Sequence, residues 1–183
     1  YFDRIMMTHW LQAEIKKRQL EFGLQYVFQY GLKHQSELPS AERYFQTDQH
    51  AHVIDLKTAY RWRAWHLEMS YLHAFDTGRF LFPKELGREN FYVSSPRSWI
   101  DGLGDTDVWM LGLRHDLKEI QTELKLIRLN SPGMENPEYN KYLMPSYYQI
   151  NLDLSYRFSS TLEGLNVHLM YIARWNRQAD TLE

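Results

Sequence analysis

The 183-residue chain carries 21 basic and 23 acidic residues, a formal charge of −2 that gives no electrostatic case for nucleic acid. It has no cysteine, which excludes a disulfide framework and a thiolate metal site, and its 8 histidines are too scattered to suggest a metal centre. Mean hydropathy is −0.57 and no window approaches the roughly 18 apolar residues of a membrane helix, which excludes helical spans alone.

Alternation with a period of two dominates the pattern from the start. Residues 5–15 put Ile5, Met7, His9, Leu11, Ala13 and Ile15 on one face, the weakest such row because Trp10 falls on the other. Residues 20–32, LEFGLQYVFQYGL, set Leu20, Phe22, Leu24, Tyr26, Phe28, Tyr30 and Leu32 against Glu21, Gly23, Gln25, Val27, Gln29 and Gly31. A β-strand sends alternate side chains to opposite faces, so this segment has one apolar and one polar face. Strands of soluble domains usually run about five or six residues, whereas a tilted strand crossing a bilayer needs about 9–11. The segment over 20–32 is long enough to cross.

Six further segments follow the same rule. Residues 54–62 oppose Ile54, Leu56, Tyr60 and Trp62 to Asp55, Lys57 and Arg61, and residues 65–73 oppose Trp65, Leu67, Met69 and Tyr71 to His66, Glu68 and Ser70. Residues 109–114 show Trp109, Leu111 and Leu113 against Arg114, and residues 120–126 show Ile120, Leu124 and Leu126 against Glu123 and Lys125. The cleanest row is Tyr148, Ile150, Leu152, Leu154, Tyr156 and Phe158, opposed by Gln149, Asn151, Asp153, Ser155 and Arg157. The last, Leu165, Val167, Leu169, Tyr171, Ala173 and Trp175, is opposed by residues that include Arg174.

The connections also alternate. Segments 16–19, 63–64, 117–119 and 159–164 are short, while 33–50, 76–105 and 130–147 are long and rich in Pro, Gly, Asn, Ser and charge. An antiparallel outer-membrane barrel, with tight turns on one side and long loops on the other, generates that order. Aromatic residues make 15% of the chain and sit at the row ends, where the girdles of such a barrel belong. The predicted fold is therefore all-β, a transmembrane antiparallel β-barrel, with residues 1–183 forming part of one barrel domain of about eight strands.

On the opposite face, Glu21, Gln25, Gln29, Asp55, Glu68, Glu123, Gln149, Asn151 and Asp153 stand with a set of basic residues, and unpaired buried charges are costly. That face is predicted to meet water, so the barrel encloses a pore of at least moderate width. Lys57, Arg61, Arg114, Lys125, Arg157 and Arg174 are the candidate pore-lining cations, able to pass an anion's carboxylate from one to the next, with Asp55, Glu68, Glu123 and Asp153 interleaved as pairing partners. Arg128 lies on the outward row near the long-loop end, where lipid head groups are expected.

The loop over 76–105 is about thirty residues, long enough to fold inward across a wide pore. It leads into GRENFYVSSPRSWIDGLGDTDVWMLGL, residues 87–113. Here the chain resembles the OprD family of substrate-specific porins, whose members carry R-E-x-F-x-x-x-x-P-R-x-x-x-E-G-x-G-D before a strand. Arg88, Glu89, Phe91, Pro96, Arg97, Gly102, Gly104 and Asp105 match, and Asp101 stands for the Glu with its charge kept. The resemblance implies an eighteen-stranded barrel whose third and seventh outer loops fold inward beside a basic ladder. This chain would be its C-terminal half, with the motif in the seventh loop. Gly102 and Gly104 are expected to allow positive φ and close backbone approach, and Arg88 and Arg97 to pin the loop through bidentate bonds to Glu89, Asp101 or Asp105.

The expectation is thus a channel in a bacterial outer membrane for passive, substrate-selective diffusion of small polar solutes, carboxylate-bearing nutrients among them. Its surroundings would be the lipid bilayer with its lipopolysaccharide; an associated outer-membrane protein stays an open possibility, and no cofactor or metal is implied. Two rivals are a soluble β-barrel holding a hydrophobic ligand and a lipase-type barrel enzyme. For the second, His66 and Ser70 share a face with no third member of a catalytic set apparent, so no catalytic residue is assigned.

Overall fold

The computed structural model describes residues 6–32, 49–82 and 87–177, so the predicted loop over 33–50 falls almost wholly outside them. Eight strands form one sheet in chain order: β1 (Met6–Lys17), β2 (Leu20–Gly31), β3 (His50–Trp62), β4 (Trp65–Ala74), β5 (Thr106–Leu117), β6 (Ile120–Asn130), β7 (Tyr147–Arg157) and β8 (Asn166–Asn176). Every neighbouring pair is antiparallel, and the sheet is open, with β1 and β8 as its edges. Strand lengths of 10 to 13 residues exceed the usual soluble strand and match a bilayer crossing.

Tight turns fix the register. Lys17 pairs with Leu20, Trp62 with Trp65 and Leu117 with Ile120, leaving two residues in each turn. The first of the two is basic and left-handed each time: Arg18 at φ 55°, Arg63 at φ 53° and Lys118 at φ 46°. Because no strand slips by one residue, the eight apolar rows all fall on a single face. Leu113, Leu124, Leu152 and Tyr171 illustrate it, each opposite the next across β5 to β8.

That apolar face is bare: Leu152 keeps 47% of its surface exposed and Leu169 64%. Aromatic side chains rim it at both ends. Tyr148 and Trp175 are partners at the long-loop end, while at the short-turn end Trp65 stacks on His115 at 4.1 Å and Tyr156 meets Phe158 edge-on at 4.7 Å.

The opposite face is covered over its long-loop half. The segment between β4 and β5 folds across it and buries Phe80, Phe91, Val93, Ile100 and Leu103 against Val27, Val53, Leu72, Val108, Ile127 and Leu129. Trp10 belongs to this cluster, its ring stacked on Phe91 at 4.6 Å. Its position on the wrong side of the β1 row is therefore a packing contact and no flaw in the alternation.

Candidate functional site

Neutral amides on the covered face reach up from the strands to hold the segment between β4 and β5. Gln25 Nε2 donates to the Asn90 carbonyl at 3.0 Å. Gln29 Nε2 donates to the Leu81 carbonyl at 2.7 Å, and its Oε1 accepts the Leu81 amide at 3.0 Å. From the other side of the sheet, Gln149 Nε2 donates to the Pro96 carbonyl at 2.9 Å and Asn151 Nδ2 to Ser95 Oγ at 2.7 Å. Asp55 supplies the one carboxylate among these grips, accepting the Tyr92 amide.

These residues correct one expectation. Gln25, Gln29, Asp55, Gln149 and Asn151 were predicted to meet water, and all five are buried beneath the segment. An uncharged amide can exchange water for backbone groups at little net cost, which is why four of the five are Gln or Asn. Asp55 is the exception, a buried carboxylate held by the backbone amide of Tyr92.

Apart from Asp55 and Arg174, the charges of this face occupy the uncovered, short-turn half, and most are paired. Lys57 Nζ lies 3.3 Å from Glu14 and 4.4 Å from the Tyr92 ring centre, and Tyr92 donates its hydroxyl to the same Glu14 oxygen at 3.1 Å. Arg61 is 3.7 Å from Glu21 and Lys125 3.5 Å from Glu123. Arg114 Nε is 3.3 Å from Asp116, close enough for attraction though without hydrogen-bond geometry. Arg174 donates twice to Gln149 Oε1, at 3.0 and 2.8 Å, and lies 3.9 Å over the Tyr147 ring, so it braces the grip on Pro96. Arg157 alone of the six predicted wall cations is exposed with no ion pair or side-chain hydrogen bond among the described residues.

Within the motif the pinning is done by backbone groups. Glu89, 5% exposed, accepts the Ile100 amide, and Asp101 accepts the Phe82 amide at 2.8 Å and the Tyr142 hydroxyl at 3.1 Å. The bidentate pairs expected from Arg88 and Arg97 are absent among the described residues. Carboxylates facing amides of a folded segment need no guanidinium to fix them. Burial pushes the Glu89 carboxyl up to about 7, and the amides of Ile100 and Asp101 only partly oppose that rise. Burial, with the Glu14 hydrogen bond, raises the Tyr92 phenol to about 12.

The two motif glycines divide the work predicted for both. Gly102 has φ +81°, a conformation that disfavours a side chain. Gly104 instead allows close approach, since a Cβ there would run into the carbonyl of Gly78. The Gly104 amide donates to the Tyr139 carbonyl at 2.8 Å and the Lys141 amide to the Gly102 carbonyl at 2.9 Å, which locks the β6–β7 loop onto the motif. Asp105 adopts φ 42° and its amide closes the base of the segment on the Phe75 carbonyl at 3.2 Å.

The tip of the segment is a tight turn, Ser95-Pro96-Arg97-Ser98. The Ser98 amide donates to the Ser95 carbonyl at 2.9 Å and the Ser95 amide returns to the Ser98 carbonyl at 3.1 Å. Pro96 followed by a residue at φ 66° gives a type II turn, whose third position normally takes Gly. Arg97 stands there instead, exposed, with its Pro96 neighbour gripped by Gln149 and Asn151. Beside it, Arg88, Ser94 and Trp99 border a recess of about 190 Å³.

Sequence reasoning identified the motif residues and the wall cations but missed the grips of Gln25, Gln29, Gln149 and Asn151. The signal was present: the polar rows carry amides and apolar residues near the long loops, and charges near the short turns. Among the described residues no group of three or more His, Asp or Glu is placed to hold a metal ion.

No protein-family model matches this chain, and no curated protein sequence matches it. Its fold is similar to the crystal structure of OccAB4 from Acinetobacter baumannii, with a TM-score of 0.71 and 12% sequence identity over 97% of this chain. The chain spans 43% of that protein's length, so the likeness covers less than half of it.

Proposed function

We propose that this chain is part of an outer-membrane channel for passive diffusion of small polar solutes, in the manner of OprD-like porins. The observation that carries this reading is the division between the two faces. One carries an apolar row on every one of its 10- to 13-residue strands, is rimmed by aromatics and left bare; the other is polar towards the short turns and partly closed by its own inward segment. In water the bare face would be a large exposed apolar patch; against hydrocarbon it is the ordinary exterior of a barrel. The OccAB4-like fold and the loop motif support the same reading.

In this reading the segment between β4 and β5 narrows the pore, and Arg97 is its displayed charge. A left-handed, non-glycine residue at a gripped tip costs about 1 kcal/mol, a cost that makes sense where the side chain has a task. Arg157, lower on the wall, is the one of the six wall cations left with neither an ion pair nor a side-chain hydrogen bond among the described residues. These two cations suit a carboxylate that must bind weakly enough to leave. We assign no catalysis: Ser70 is buried and directs its hydroxyl to Glu68 at 3.4 Å, with no histidine bonded to it among the described residues.

The test is single-channel recording of the full-length protein in a planar bilayer. Discrete conductance steps, reduced when small carboxylates compete for the current, are expected. A protein that dissolves without detergent and gives no steps contradicts the proposal.

A further inference from the structure

The bare face carries, at its long-loop end, a group that neither the apolar row nor the aromatic rim explains. Arg128 and Arg177 come from β6 and from the end of β8, yet both donate to one atom: Arg128 Nε to Asn130 Oδ1 at 3.4 Å and Arg177 Nη1 to the same oxygen at 2.6 Å. Both guanidiniums also approach the Tyr148 ring, at 6.0 and 5.8 Å from its centre. Sharing an acceptor oxygen and an aromatic platform sets them side by side, although like charges repel. Both are exposed, and neither has an ion pair among the described residues. The acidic residue opposite Asn130 in the register, Asp107, is committed elsewhere: its Oδ1 takes the Tyr71 hydroxyl at 2.6 Å and His73 Nδ1 at 3.0 Å.

Two unneutralised guanidiniums held side by side present paired donors that an anion would neutralise. Their position selects which one. Register puts Arg128, Tyr148 and Trp175 at one height on the bare face, just beyond the apolar steps Leu126, Ile150 and Ala173. From Tyr148 to Tyr156 the outward row extends about 26 Å along the strand, about 20 Å of height at the tilt of a membrane barrel, so in that reading the pair sits near one boundary of the hydrocarbon band. Phosphate oxygens of lipid head groups lie at that level, and a guanidinium binds them through paired N–H donors.

We propose that Arg128, Arg177, Asn130 and Tyr148 form a clamp on the outer wall for the phosphate of a lipid head group in the outer leaflet. The site is separate from the pore and faces the opposite side of the sheet from Arg97. It rests on the reading of the chain as a membrane barrel.

The probe is a bis-phosphorylated glycolipid of the lipid A type, compared with the same lipid after enzymatic removal of its phosphates. The full-length protein and its R128Q/R177Q variant are reconstituted in bilayers of each, extracted into mild detergent, and the lipids retained per barrel are counted by native mass spectrometry. The unsubstituted protein is expected to retain the phosphorylated lipid about tenfold better than the variant, and to lose that advantage with the dephosphorylated lipid. Comparing the two lipids on the unsubstituted protein alone keeps the test valid should the variant fold poorly. Equal retention of both lipids by a barrel that inserts and conducts overturns the clamp alone. A protein that does not enter bilayers overturns the channel reading with it.

Discussion

Gln29 and Leu81 form a two-bond pair in which a side-chain amide imitates a strand neighbour: the Leu81 carbonyl receives Nε2 at 2.7 Å while its amide reaches Oε1 at 3.0 Å. Both residues are buried, so neither bond can be replaced by water without opening the segment. Replacing Gln29 by Ala strands two backbone groups and is expected to weaken docking of the segment by about 2–4 kcal/mol. Faster hydrogen exchange at Leu81 and a larger, noisier single-channel current are the readouts. Unchanged current would show that the segment does not restrict the pore.

Trp10 tests the same docking from the side of its apolar core. Its ring stacks on Phe91 at 4.6 Å, and removing it in Trp10→Ala deletes the only aromatic that β1 contributes to the described cluster. A loss of about 2–3 kcal/mol is expected for a partly buried ring. Thermal unfolding of the full-length protein in detergent measures it, and Trp10→Phe should recover most of the loss.

Glu89 should make the docking depend on pH. Its carboxyl, near 4.5 when unfolded, is raised to about 7 in place. A raised acid favours the folded state fully below pH 4.5, and that advantage is lost as pH rises to about 7, beyond which the effect is flat. The whole change is on the order of 3 kcal/mol at most. Hydrogen exchange at the Ile100 amide, followed from pH 5 to pH 8 after correction for intrinsic rate, should show weakening protection; Glu89→Gln should remove the trend.

At Arg97 structure and task can be separated. Gly is the favoured residue at φ 66° in this turn, so Arg97→Gly should leave the segment in place and relieve about 1 kcal/mol of strain. If the guanidinium guides anions, the same change lowers the anion-to-cation permeability ratio and the block by carboxylates. A ratio that stays constant assigns Arg97 to the turn alone.

The faces were legible in the sequence because alternation reports directly on the solvent each side meets, and the tight turns left no room for a slipped register. Trp10 read as an exception to that rule, since a partner some eighty residues away, Phe91, is invisible to a local pattern. The buried amides were misread for a related reason. Gln25 and Gln149 look like water-facing residues until a backbone segment is laid on them, and only their neutrality, beside the charged Lys57, Lys125 and Arg157, hinted at it. Arg88 and Arg97 matched the motif, but identity at a position does not tell whether a guanidinium binds a carboxylate or is displayed; backbone amides had already taken Glu89 and Asp101.

The central claim, that the bare face meets hydrocarbon and the covered face water, can be measured on β7 with two single cysteines, as residues 1–183 contain none. Nitroxide labels at Leu152→Cys and Ser155→Cys in the reconstituted full-length protein report contact with membrane-soluble oxygen and with a water-soluble nickel complex. Relaxation by oxygen at position 152 and by nickel at position 155 is predicted. The opposite pattern, nickel at 152 and oxygen at 155, would contradict the account.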